Sequence, residues 1–220
     1  MSLWIKICGN TSLEDAQLAF EAGADAVGYV FAASPRRITM DQVAAIARHL
    51  PEELEQIGVF VDATLEEIEF AVRACRLTGV QLHSEAGLEL PAMLRARLGP
   101  ALRIVRVVHF SPEAAAHAAA IGLDPNVDAV LVDSRTATAV GGTGIAFDWN
   151  VAARTLFQNG EARKLLIAAG GLTPANVAEA VARLQPWGVD VSSGVEAWPG
   201  RKDPGKVREF IAKARAAECR

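Results

Sequence analysis

Cysteine is scarce in this chain of 220 residues: Cys8, Cys75 and Cys219 are the only three. Three thiols so widely scattered make neither a disulfide framework nor a zinc site, so a reducing compartment, the cytoplasm, is expected. Positive charge is not in excess either. Lys and Arg total 22 against 26 Asp and Glu, a formal net charge of −4, with no basic run. A nucleic-acid partner is therefore not expected. No apolar stretch approaches the roughly 20 residues that span a bilayer. Met1-Ser2-Leu3-Trp4 has no basic segment leading into an apolar run, so no secretory leader is expected. Linkers, low-complexity tracts and blocks of like charge are also missing. What remains is globular material, 51% hydrophobic and 22% charged, enough for one large core. The chain reads as a single domain over residues 1–220.

Short apolar runs alternate with amphipathic stretches from end to end. Strands are expected to begin near Trp4, Ala26, Ile57, Gly79, Arg103, Ala129, Lys164 and Val189. Each interval holds a strand, a helix and two loops, which implies parallel neighbours joined by crossovers. Eight such units predict a closed (β/α)8 barrel, a TIM barrel; an open doubly wound sheet is the rival architecture. Helix starts are well marked. Thr64-Leu65-Glu66-Glu67 has the form of a capping box. Ser111-Pro112, Thr173-Pro174 and Asp203-Pro204 each place a capping side chain before proline in the first helical position. Cys75 falls on the apolar stripe of Leu65, Ile68 and Val72 and reads as packing.

In a parallel barrel the loops after the strands gather on one face, where chemistry is placed. Alternation along Ile5-Lys6-Ile7-Cys8 turns Lys6 and Cys8 inward, with Cys8 at the mouth and Lys6 one layer below in an interior ion pair. A free cysteine there is either a small buried hydrophobe or a mouth thiol. The same parity turns Leu131 and Asp133 inward on the sixth strand, and Gln81 and His83 inward on the fourth. Asp133 could equally cap its loop. His83 reads as a polar wall residue, and His49, His109 and His117 as surface or strand-edge residues. In the loop after the second strand, Arg36 or Arg37 could clamp a carboxylate through its planar fork. Glycine-rich turns follow late strands: Gly141-Gly142-Thr143-Gly144, Gly170-Gly171 and Ser192-Ser193-Gly194. None sits in a dinucleotide or P-loop frame. Their backbone N–H groups can form an anion nest, and turns after strands seven and eight commonly hold phosphate. A sugar phosphate is the ligand these turns support best.

Taken together, Lys6-Ile7-Cys8-Gly9, Gly23-Ala24-Asp25-Ala26-Val27-Gly28, Ser34-Pro35-Arg36 and Val80-Gln81-Leu82-His83 resemble the phosphoribosylanthranilate isomerase family. Gly141 to Gly144 with Phe147-Asp148-Trp149, Gly170 to Val177, and Val189 to Glu196 continue the resemblance in the family's order. Asn10, Ser84 and Ile145 depart from its usual residues. The resemblance implies a cofactor-free Amadori rearrangement of an aminoaldose to an aminoketose in tryptophan biosynthesis, with Cys8 as general base and Asp133 as general acid. It implies that Arg36 holds the anthranilate carboxylate, that His83 and Asp190 lie against the substrate, and that Gly142, Gly144, Gly170, Gly171, Ser193 and Gly194 surround the phosphate. No cofactor, metal, nucleic acid or membrane is implied, and the chain is expected as monomer or homodimer. The remaining readings are another sugar-phosphate barrel enzyme and a non-catalytic phosphosugar-binding barrel. The proposed roles make an electrostatic demand. A free thiol, with pKa about 8.5, is only a few per cent thiolate at neutral pH. Arg36 or oriented backbone N–H groups are therefore expected nearer Cys8 than Asp133 is.

Overall fold

The computed structural model describes residues 2–83, 87–109, 118, 120–133 and 165–218. Its eight strands are β1 (Trp4–Ile7), β2 (Ala26–Val30), β3 (Glu55–Phe60), β4 (Gly79–Leu82), β5 (Arg103–His109), β6 (Ala129–Asp133), β7 (Leu165–Ala169) and β8 (Gly188–Val191). They pair in sequence order, all parallel, and β8 closes on β1. The expected barrel forms, and the open sheet is excluded. The described helices are α1 (Leu13–Glu21), α2 (Met40–Ala47), α3 (Leu65–Cys75), α4 (Leu90–Leu98), α5 (Val177–Leu184) and α6 (Pro204–Glu218). None is long and apolar enough to cross a membrane.

Strand alternation sorts the apolar residues into two layers. Ile5, Ile7, Val27, Tyr29, Val80 and Leu82 face outward and pack with helix residues such as Ala16, Ile68, Ala71 and Phe210. The barrel interior is plugged by Trp4, Ala26, Ile57, Val105, Val107, Ala129, Leu131 and Ile167, with Trp187 stacked on Trp4 at 5.2 Å. Full burial of each aliphatic chain stabilises the fold by about 1.5–3 kcal/mol before entropy is counted. Cys75 is fully buried on the α3 stripe, as its position predicts.

The capping box is present: Thr64 Oγ1 accepts from the Glu67 N–H at 3.2 Å, and Glu67 Oε2 accepts from the Thr64 N–H at 2.8 Å. Asp203 accepts from the Lys206 N–H at the start of α6. At Thr173-Pro174 the Thr173 hydroxyl accepts from the Ala175 N–H at 3.2 Å as a cap should, but residues 174–176 form a turn and not the first helical turn. Asn176 Oδ1 accepts from the Thr173 N–H and Asn176 Nδ2 donates to Gly171 O, closing residues 173–176 into a turn. Helix α5 consequently begins at Val177, beyond the proline. The Ser111-Pro112 helix start lies outside the described residues.

One element has no counterpart in the repeat. After β8 come a single 3-10 turn, Ser193–Val195, and a short antiparallel hairpin, β9 (Glu196–Trp198) and β10 (Arg201–Lys202). Thr11 Oγ1 donates to Gly200 O at 2.6 Å, and the Lys202 N–H donates to the buried Asp15 carboxylate. The hairpin is thereby docked against the loop that leaves β1.

Candidate active site

The polar residues that parity turns inward meet at the C-terminal ends of the strands. Lys6 on β1 and Asp190 on β8 are register partners, so their side chains leave neighbouring strands in the same direction. Lys6 Nζ lies 2.6 Å from Asp190 Oδ1 and donates to Gln81 Oε1 on β4 at 2.9 Å. Lys6 is fully buried. Desolvation would drive its proton off, but Asp190 and the nearby Cys8 outweigh it and raise the ammonium above its ordinary value. The expected interior ion pair is therefore present, and it forms the floor of the mouth.

Cys8 stands immediately above this floor, 6% exposed. Its N–H donates to Val191 O, and the N–H groups of Gly9 and Asn10 both donate to Gly28 O on β2. Burial pushes the thiol up; the Lys6 and Lys202 charges pull it back and Asp190 opposes them, leaving it above its ordinary value. The cations that act on the sulfur most strongly are thus Lys6 and Lys202, which the sequence reading did not assign to that task. Arg36 also feels the Cys8 charge.

Arg36 sits in the loop after β2, held by its own N–H to Ser34 Oγ and by the Ile38 N–H to Val30 O. Its side chain crosses Gly9. A Cβ at Gly9 would lie 2.7 Å from Arg36 Cδ and 2.9 Å from Ser192 Oγ, and the +75° φ there suits only glycine. Arg36 is already engaged: Nε donates to Glu196 Oε1 at 2.7 Å and Nη2 to Glu196 Oε2 at 2.6 Å. Glu196 also meets Lys202 Nζ at 3.2 Å, and Lys202 donates to Cys8 O at 2.6 Å and Ser192 O at 3.3 Å. Burial alone would raise the Glu196 carboxyl, but Arg36 and Lys202 outweigh it and hold it below the usual carboxylate range.

On the far side, His83 follows β4, and His109 and Asp133 end β5 and β6 as register partners. The His83 and His109 rings lie 6.0 Å apart. His109 shares the inward parity of Val105 and Val107, so it belongs to the mouth and is not the surface or strand-edge residue expected; His49 is exposed as expected. Burial first, then His109, lower His83 below its ordinary value, while Asp133 and Asp190 oppose them. His83 therefore links the carboxyl of Asp133 electrostatically to the Lys6–Asp190 floor.

The late turns converge. A Cβ on Gly194 would fall 1.8 Å from Leu172 O, so the turn after β8 lies directly on the turn after β7. Gly171 and Ser193 are exposed, and Gly171, Ser193 and Gly194 donate none of the backbone hydrogen bonds found among the described residues. Among the described residues no backbone carbonyl takes those N–H groups, and exposed N–H groups of this kind can face an anion. Gly142, Gly144, Phe147, Asp148, Trp149, Ile145, Ser84, His117 and Cys219 lie outside the described residues.

A thiol, a carboxyl, an arginine and two glycine-bearing turns lie on the C-terminal rim of a (β/α)8 barrel, the face on which enzymes of this class carry their active sites. Residues 5–213 match the family described as N-(5'phosphoribosyl)anthranilate (PRA) isomerase, and the chain belongs to that family. It is 44% identical over 212 residues to the N-(5'-phosphoribosyl)anthranilate isomerase of Pelobacter propionicus, covering 96% of this chain and 95% of that protein. The crystal structure of phosphoribosyl anthranilate isomerase from Thermotoga maritima superposes with a TM-score of 0.83 at 36% identity, over 97% of this chain and 99% of that one. A second isomerase structure, solved with reduced 1-(o-carboxyphenylamino)-1-deoxyribulose 5-phosphate, gives 0.81 at 33% identity, over 97% and 99% of the two chains.

Proposed function

We propose that this isomerase of tryptophan biosynthesis converts N-(5-phosphoribosyl)anthranilate to 1-(2-carboxyphenylamino)-1-deoxyribulose 5-phosphate with Cys8 as general base and Asp133 as general acid. The observation that carries the reading is the arrangement of the rim. A buried thiol follows β1 and a carboxyl ends β6, with β7 and β8 and their two glycine-bearing turns between them.

Protonation of the ribose ring oxygen by Asp133 lets the anilino lone pair open the ring to an iminium. Cys8 as thiolate then takes the proton from C2′. The electron pair moves into the C1′–C2′ bond and neutralises the iminium, giving an enolamine that tautomerises to the ketone. One acid and one base suffice, as general acid–base catalysis requires. The phosphate binds to the backbone of Gly170, Gly171, Ser193 and Gly194, with Gly142 and Gly144 closing from the loop after β6. Asp190, fixed by Lys6, accepts from a ribose hydroxyl. His83 lines the wall as a neutral imidazole, and Arg36 takes the anthranilate carboxylate. No second chain supplies a group to this scheme, so monomer and homodimer both satisfy it, and the reaction belongs to the cytoplasm.

Steady-state kinetics of Cys8→Ser and Asp133→Asn, followed by anthranilate fluorescence, test the assignment. Each substitution is expected to lower kcat by about 100-fold or more while the fold and phosphate binding survive. A Cys8→Ser enzyme that keeps most of its turnover refutes the base. An unmodified chain with no turnover refutes the isomerase reading in favour of a phosphosugar-binding barrel.

A further inference from the structure

The hairpin after β8 brings Glu196 and Lys202 together as register partners and buries both side chains, 4% and 0% exposed. Two buried, opposite charges on an appendage of the barrel call for a use, because burying such a pair is costly and apolar residues would pack there as well. Their contacts give the use. Glu196 grips Arg36 through the Nε–Nη2 edge of the guanidinium, and Lys202 grips both the Glu196 carboxylate and the carbonyl oxygen of Cys8.

We propose that Glu196 and Lys202 are positioning residues for substrate recognition: Glu196 clasps one edge of Arg36 and so presents the Nη1–Nη2 edge to the anthranilate carboxylate. This deepens the functional reading above and rests on its assignment of Arg36. A guanidinium has two forked edges and can hold two carboxylates at once. Both hydrogen bonds recorded for the Arg36 side chain use the Nε–Nη2 edge, and its side chain remains 19% exposed. The Glu196 side chain is almost wholly buried. Displacing it from Arg36 would leave it buried with only Lys202 Nζ at 3.2 Å and the Gly200 N–H at 3.3 Å as partners, so an incoming carboxylate adds to the clasp and does not replace it. Through Cys8 O, Lys202 fixes the distance between this carboxylate site and the thiol.

Isothermal calorimetry with two probes tests the proposal: reduced 1-(o-carboxyphenylamino)-1-deoxyribulose 5-phosphate, and its phenylamino counterpart lacking the carboxylate. Glu196→Gln is expected to weaken the carboxylated probe by about 10- to 100-fold and to leave the other within about twofold. In turnover, KM should rise by a similar factor with a much smaller change in kcat. If Glu196→Gln does not fold, Glu196→Asp keeps the charge beside Lys202 while shortening the reach, and is expected to discriminate between the probes in the same sense. Equal weakening of both probes, or of neither, overturns the proposal. Arg36→Ala separates the two levels. If it discriminates between the probes and the Glu196 variants do not, the positioning role fails while the Arg36 assignment stands. If Arg36→Ala itself does not discriminate, the carboxylate assignment fails and the positioning role with it.

Discussion

Gly28 and Cys8 share one small volume: a Cβ built on Gly28 would lie 2.7 Å from Cys8 Sγ and 3.1 Å from Lys6 Cε. Both crowded groups belong to the proposed chemistry, and Lys6 cannot retreat, because it is pinned by Asp190 and Gln81. Gly28→Ala is therefore expected to move the sulfur. Displacement of a reacting group by about 1 Å can cost on the order of 100-fold in rate. The expected outcome is a kcat/KM lowered by at least about tenfold in a protein whose circular dichroism is unchanged. An alanine variant with parental kinetics would show that the thiol has freedom to spare.

The thiol itself titrates late. Burial raises Cys8 above its ordinary value, with Lys6 and Lys202 acting against burial and Asp190 with it. A base that must be a thiolate then gains activity as pH rises, since only the deprotonated fraction works. The kcat/KM profile of the free enzyme should keep climbing beyond about pH 8.5, the value of an unperturbed thiol. Alkylation of the Cys8 peptide by iodoacetamide, read by mass spectrometry, should give the same midpoint. Lys202→Met should shift that midpoint upward. A midpoint below the ordinary thiol value would contradict the balance of burial and charge described here.

The Lys6–Asp190 pair separates stability from activity. Removing one member strands the other in the barrel floor, which costs about 3–5 kcal/mol, whereas replacing both with apolar residues is often neutral. Lys6→Met and Asp190→Leu should each destabilise strongly in urea unfolding, and the double variant should recover most of the loss. Activity should not recover with it, because Asp190 has been assigned to the ribose. Recovery of turnover in the double variant would remove Asp190 from the site.

Much of this geometry was legible before the structure. Lys6, Cys8, Gln81, His83 and Asp133 were readable because successive residues of a strand point to opposite faces, so a polar residue at a known parity declares which way it points. β5 offered no such key. Arg103-Ile104-Val105-Arg106-Val107-Val108-His109 is apolar on both faces, and its one central charge, Arg106, is buried on the outward side with Ile104. Counting from the interior residues Val105 and Val107 would have put His109 at the mouth. The hairpin was hidden for a different reason. A repeat of strand and helix contains no antiparallel pair, so Glu196 was read only as the end of a family motif. The signal available was Pro199-Gly200 between Trp198 and Arg201, a turn dipeptide at the centre of the loop. The partners of Arg36 could not be read at all, since Glu196 is 160 positions away and only closure of β8 onto β1 brings it near.

His83 provides a final check on the mouth's electrostatics. Burial lowers its imidazole first and His109 second, while Asp133 and Asp190 pull the other way. A histidine whose folded value lies below the unfolded value of about 6.5 binds fewer protons folded than unfolded near pH 6, so acid favours unfolding there. Its contribution to stability is complete above about pH 6.5 and is lost as pH falls from there toward the folded value. In a histidine-selective NMR titration the His83 midpoint should lie below 6.5 in the substrate-free protein. His109→Gln should raise it by removing a neighbouring positive charge, and Asp133→Asn should lower it by removing a negative one. The two substitutions thus move one resonance in opposite directions. A shift in the same direction for both would mean that Asp133 does not face His83 across the rim, and the placement of the proposed acid would fall with it.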